Sequence, residues 1–117
     1  MLSVEEVGGI SVVRVFEDVN IASAPKFEAA LNALHDQSVI VIDLRYCPYF
    51  DSTGLSVLYR TTRETRVATF MPLECNIRKI FDIVRSSELF QTFETEADAL
   101  QYARDIASAE DRSKDIA

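Results

Sequence analysis

Glycine is scarce in this sequence, with only Gly8, Gly9 and Gly54 among 117 residues. Glycines so placed cannot build a phosphate-cradling loop or a dinucleotide fingerprint, which need several glycines within a few positions. Histidine is scarcer still. His35 stands alone near the end of a predicted helix, and no G-x-S-x-G elbow accompanies it, so a serine hydrolase has neither its nucleophile turn nor a placed base. The two cysteines, Cys47 and Cys75, lie far apart and outside any C-x-x-C or metal-ligand spacing. Two buried free thiols in a reducing compartment are expected, with no metal and no cofactor. Basic charge is also in deficit: twelve Lys and Arg face nineteen Asp and Glu, a formal charge of −7. That balance disfavours anionic lipid and weighs against nucleic-acid binding by phosphate neutralisation, which needs a concentrated basic surface. Arg60, Arg63 and Arg66 recur at helical spacing and read as a solvated face near a helix C-terminus. No apolar run approaches the ~20 residues of a membrane span. The first residues lack the basic flank and apolar centre of a signal peptide, so the cytoplasm is the expected location.

What is present is a regular alternation of strand and helix signals. Leu2 to Val7 and the β-branched Ile10 to Phe16 flank Gly8-Gly9, predicting an opening hairpin. Ser23-Ala24-Pro25 reads as a helix start, with a capping hydroxyl and a first-turn proline, and Phe27, Ala30, Leu31 and Leu34 share one face. Val39 to Leu44 is nearly unbroken apolar sequence, typical of a strand buried on both faces. A helix follows from Asp51, with Leu55 and Leu58 inward. Val67 to Met71 predicts a strand stopped by Pro72. Ile77, Ile80, Phe81 and Val84 give another helical stripe, and Phe90 to Phe93 a short strand. Thr95 then caps a last helix through Ala97, Leu100, Ala103 and Ile106. The pattern predicts one α/β domain over residues 1–109, with a polar tail at 110–117 that frays.

The richest segment runs from Val41 to Leu55 as strand, loop and helix start. Asp51 is placed to cap that helix, which puts Ser52 at its first position. A phosphate on Ser52 would meet the free N–H groups at the positive end of the helix, although Asp51 would repel it. It would add about −1.5 to −2 charges and alter a docking surface more than the fold. Gly54 lacks a Cβ, so another backbone or a partner could come close there. An ordinary N-cap followed by first-turn polar residues also accounts for Asp51-Ser52-Thr53.

Asp51-Ser52-Thr53-Gly54-Leu55 after an apolar strand resembles the D-[ST]-[ST]-G-L signature of STAS domains, named for sulfate transporters and anti-sigma factor antagonists. Asp18-Val19-Asn20 with Ser23-Ala24-Pro25 is similar to the family's E-[LI]-D segment and helix start. Ile77-Arg78-Lys79-Ile80-Phe81-Asp82, Glu88-Leu89-Phe90 and Phe93 to Leu100 resemble its C-terminal third, so the likeness covers nearly the whole chain. It implies a mixed β-sheet with an opening hairpin and α-helices packed mainly on one face. It further implies a regulator without catalysis: an antagonist that binds an anti-sigma factor, itself a serine kinase, and is inactivated by phosphorylation at Ser52, with Thr53 as second choice. A phosphatase resets it. The implied partner surface is Asn20, Ser23, Asp51, Ser52, Thr53, Gly54, Leu55 and Ser56. The chain departs from the family pattern at Asn20, where an aspartate is usual, at Ser56, where a glycine is common, and in a shortened connection at residues 63–67.

Rival readings fare less well. The D-[ST]-G of aspartic proteases differs in spacing by one residue and belongs to an all-β setting. A phosphorelay receiver would use Asp51 with Glu17 and Asp18, but no lysine is suitably placed. A STAS subunit or scaffold of another complex, in lipid transport or stress signalling, shares every feature except a need for the Ser52 hydroxyl. A free-standing chain of this length is not expected of a transporter tail.

Overall fold

The computed structural model describes residues 1–84 and 90–116, with side chains described for 1–82 and 91–110. Among the described residues nine elements follow in chain order: β1 (Leu2–Val7), β2 (Ile10–Val15), α1 (Ala24–Asn32), β3 (Val39–Asp43), α2 (Ser52–Thr61), β4 (Arg66–Phe70), α3 (Asn76–Val84), β5 (Phe90–Phe93) and α4 (Glu96–Ile116). The five strands form one mixed sheet in the order β1-β2-β3-β4-β5. β1 and β2 are antiparallel, paired from Leu2 with Val15 to Val7 with Ile10. Gly8 and Gly9, at φ 58° and 84°, make the two-residue turn, a backbone that side chains with a Cβ rarely adopt. Every other pairing is parallel, with α1, α2 and α3 as the successive crossovers.

The unbroken apolar run of β3 has its expected cause. Ile40 and Ile42 join a core with Phe27 and Leu31 of α1, Leu55 and Leu58 of α2, and Ile77 and Phe81 of α3. Val39 and Val41 face the other way, toward Ala99, Leu100 and Ala103 of α4. Three helices therefore cover one face and α4 alone the other. Thr95 Oγ1 accepts from the Asp98 N–H at 3.2 Å, the predicted cap. α4 continues to Ile116, well into the segment expected to fray.

Several local expectations change. β4 begins at Arg66 rather than Val67, and α2 ends at Thr61, so Arg60, Arg63 and Arg66 do not share a helical face: Arg66 opens a strand. Cys47 is buried as expected, whereas Cys75 is only partly so; both are free thiols. His35 is exposed, its Nδ1 2.9 Å from the Asn32 carbonyl. The Val84 side chain and the Glu88-Leu89 part of the resemblance lie outside what is described.

A charged cluster ties α4 to the sheet. Asp43, fully buried at the end of β3, accepts from Arg14 Nη1 at 2.8 Å and from Arg45 Nη2 at 3.0 Å, while Arg14 Nη1 also donates to Glu96 at 2.6 Å. Burial alone would raise the Asp43 pKa. The hydrogen bonds from the Arg45 side chain and backbone and from Arg14 outweigh it, and the net direction is down.

Candidate functional site

Asp51 is extended at φ −121° and ψ −168°, and its Oδ1 accepts from the Thr53 N–H at 2.9 Å. The aspartate is thus the N-cap of α2, and Ser52 is the first helical residue, with its side chain exposed. Ser56, one turn on and also exposed, donates its hydroxyl to the Ser52 carbonyl at 3.0 Å. Its side chain is directed along its own helix. Thr53 is half-buried.

The loop carrying Asn20 is brought beside this helix start by backbone bonding. Val19 and Phe50 form a parallel bridge, in which the Val19 N–H donates to the Tyr49 carbonyl at 2.8 Å and the Asp51 N–H to the Val19 carbonyl at 3.3 Å. Asn20 itself organises a turn: its Oδ1 accepts from the N–H groups of Ala22 at 2.9 Å and Ser23 at 3.1 Å. Such an Asx turn needs the side-chain oxygen alone, so asparagine serves where the family usually has aspartate. Ser23 does not cap α1 with its hydroxyl, contrary to expectation. Ser23 Oγ instead donates to the Asp18 carbonyl at 2.7 Å and accepts from the Asn20 N–H at 3.0 Å, locking the loop. That capture depends on the fold of residues 18–20, which the local Ser-Ala-Pro pattern does not reveal.

Two residues expected at the partner surface turn inward. Gly54 is buried, and a Cβ there would lie 2.6 to 2.9 Å from the Phe50 ring. The close approach that Gly54 permits is thus made by the chain's own phenylalanine. Leu55 is 7% exposed and belongs to the core. Of the remaining expected residues, Asn20, Ser23, Asp51 and Thr53 are partly exposed, and Ser52 and Ser56 are exposed.

Other residues near Ser52 escaped the sequence reading. Ile21 is 82% exposed and Tyr49 50%. Ile21 follows Asn20 in a largely polar loop, a local signal, whereas Tyr49 sits among Tyr46, Cys47, Pro48 and Phe50, where nothing local marks it as outward. The Tyr49 hydroxyl pKa is raised first by the charge of Asp51, then by a hydrogen bond to it, and more weakly by Asp18. Beneath the site, the Cys47 thiol donates to the carbonyls of Tyr49 at 3.1 Å and Glu17 at 3.3 Å. Burial pushes its pKa up to about 11, so it stays protonated and unreactive. Among the described residues, no group of three or more His, Cys, Asp or Glu is placed to hold a metal ion, and no helix is long and apolar enough to cross a membrane.

An Asp-capped helix start with an exposed serine, beside a turn from the β2–α1 loop and on a mixed sheet, defines a domain class that sequence comparison identifies. The sequence model of the STAS domain matches residues 1–99, and the chain belongs to that family. Solved structures share the fold. An anti-sigma factor antagonist from Mycobacterium paratuberculosis is 28% identical, with 89% of this chain and 93% of that chain covered at a TM-score of 0.77. The anti-sigma factor antagonist SpoIIAA in its unphosphorylated form is 19% identical, covering 89% and 98%, with a TM-score of 0.66. The phosphorylated form of the Bacillus cell fate determinant SpoIIAA gives 0.63 at the same identity, covering 87% and 98%. No curated protein sequence matches the chain.

Proposed function

We propose that this chain is a partner-switching regulator of the anti-sigma factor antagonist type, acting in the cytoplasm by binding and without catalysis. The unphosphorylated form binds an anti-sigma factor that is an ATP-dependent serine kinase. Phosphate on Ser52 ends that complex, and a phosphatase restores it. The observation that carries this reading is the exposed Ser52 at the first position of α2, with Asp51 already committed as cap and the Asn20 turn alongside. A phosphate there gains from the helix N-terminus, so the fold tolerates it. It also adds about −1.5 to −2 charges beside Asp51, which changes what the surface accepts. Ser52 is preferred to Thr53 because it is the more exposed of the two. The 28% identity to a mycobacterial antagonist supports the same reading.

The test is affinity capture from the native host, with and without ATP, followed by mass spectrometry and phosphosite mapping. Recovery of a small kinase-like ATPase, released on ATP addition as Ser52 gains phosphate, is the expected result. Recovery of a transporter complex or scaffold with Ser52 unmodified would overturn it.

A further inference from the structure

The loop after β2 and the loop after β3 are joined at three points between residues 16–19 and 46–51. Phe16 and Tyr46 stack at their start, ring centroids 5.7 Å apart and planes within 11°. Cys47 Sγ then joins the Glu17 carbonyl, and the Val19–Phe50 bridge joins the loops again before Ser52. Along these loops, which form a ledge, large apolar side chains turn outward: Phe16 is 38% exposed, Tyr46 55% and Tyr49 50%, and Ile21, just past the bridge, 82%. Single exposed apolar residues are ordinary, but Phe16 and Tyr46 are exposed and in contact with each other, which is the kind of surface that marks an interaction site.

The Tyr46 end is held in advance. The Arg45 guanidinium lies 5.0 Å from the Tyr46 ring centroid and 5.0 Å from that of Phe70, and is itself bonded to Asp43. A ring fixed this way loses little freedom when something docks on it. Toward Ser52 the border is acidic, with Asp18 exposed and Asp51 half-buried near Tyr49; at the Tyr46 end the Arg45 charge is matched by Asp43 and Glu96, and the chain carries −7 overall.

We infer that the Phe16–Tyr46 stack is a second anchor for the partner that reads Ser52, receiving an apolar segment of that partner bordered by basic side chains. This inference rests on the partner-switching reading above. A second copy of the chain is the poorer occupant, because its own acidic border would meet like charge. The anchor lies at the far end of the ledge from Ser52, so it supplies affinity and register while the serine supplies control.

The experiment is calorimetric titration of the purified serine-kinase anti-sigma factor of the host against four proteins. These are the wild type, Ser52→Asp, the double variant Phe16→Ser with Tyr46→Ser, and Asp18→Lys. Circular dichroism confirms that each is folded, and light scattering reports self-association. The double variant is expected to bind at least about tenfold more weakly, as for truncation of aromatic anchors. Asp18→Lys is expected to bind several-fold more weakly, the more so at low salt. Unchanged affinity in the double variant, with Ser52→Asp weakened, overturns the anchor and leaves the switch standing. Weakening in the double variant with Ser52→Asp unchanged keeps the ledge as the docking surface and overturns control by phosphate. Tighter binding by Asp18→Lys overturns the basic occupant, and a concentration-dependent dimer abolished by the double variant reassigns the ledge to self-association. A wild-type chain that binds no such kinase overturns both readings.

Discussion

Ser52 and Gly54 stand two positions apart on α2 and answer to different masters, one to the surface and one to the core. Replacing Ser52 by alanine removes an exposed hydroxyl, so urea unfolding is expected to shift by no more than about 0.5 kcal/mol. The variant keeps binding its partner in the presence of ATP, whereas Ser52→Asp weakens binding at unchanged stability. A large loss of stability in Ser52→Ala would return Asp51-Ser52-Thr53 to a purely structural role. Gly54→Ala behaves oppositely. Its added methyl meets the Phe50 ring at under 3 Å, and overpacking of about 1–3 kcal/mol is expected to outweigh the helix-propensity gain. Shortening that ring by Phe50→Leu is expected to make Gly54→Ala less costly, which a double-mutant cycle measures. The sequence made the Asp51 cap legible, because a carboxylate before Ser-Thr-Gly has a local job to do. It showed that Gly54 was bare but not what filled the space, because Phe50 returns beneath it through the tertiary path of the loop.

At the scale of the element, strands and helices were readable from period and turn chemistry, down to the paired glycines of the hairpin. What joins elements was not. Arg14, Asp43 and Glu96 come from β2, β3 and the start of α4, and nothing in their spacing announces that they meet. Asp43→Asn is expected to cost about 3 kcal/mol or more, since it leaves two guanidinium groups beside a neutral, buried partner. The acid dependence follows in sign. The folded Asp43 pKa is lowered, so its contribution is complete above the ordinary carboxylate range and is lost as pH falls through the folded value. Glu17, held by hydrogen bonds to the N-terminal amine and Lys26, and Glu28, held by Arg60, shift the same way but are solvent-screened and add little. Wild-type stability is expected to fall below about pH 4, and Asp43→Asn to flatten that fall, as urea titrations between pH 2 and 7 would show.

For the molecule as a whole, the two thiols report on its two degrees of closure. Cys47, buried and held at a pKa of about 11, is expected to react with a disulfide reagent at pH 8 only through unfolding, while partly buried Cys75 reacts well before it. Because the folded thiol titrates later than an unfolded one, Cys47 also withdraws stability as pH climbs from about 9 toward 11. Equal reaction rates for the two cysteines would contradict this packing. Sheet order has a wider consequence. Each strand from β2 onward lies beside the one made just before it, so every pairing forms with the nearest available predecessor. A chain emerging from the ribosome can assemble this sheet in the order it is synthesised, with α1, α2 and α3 closing one side as they appear. Only the other side must wait. Until Glu96 and the helix behind it arrive, Ile10, Val12, Val39, Val41 and Ala68 lack the helix that covers them. The growing protein therefore passes through a stage with one finished face and one sticky one, and that stage is where a chaperone, or an aggregate, would find it.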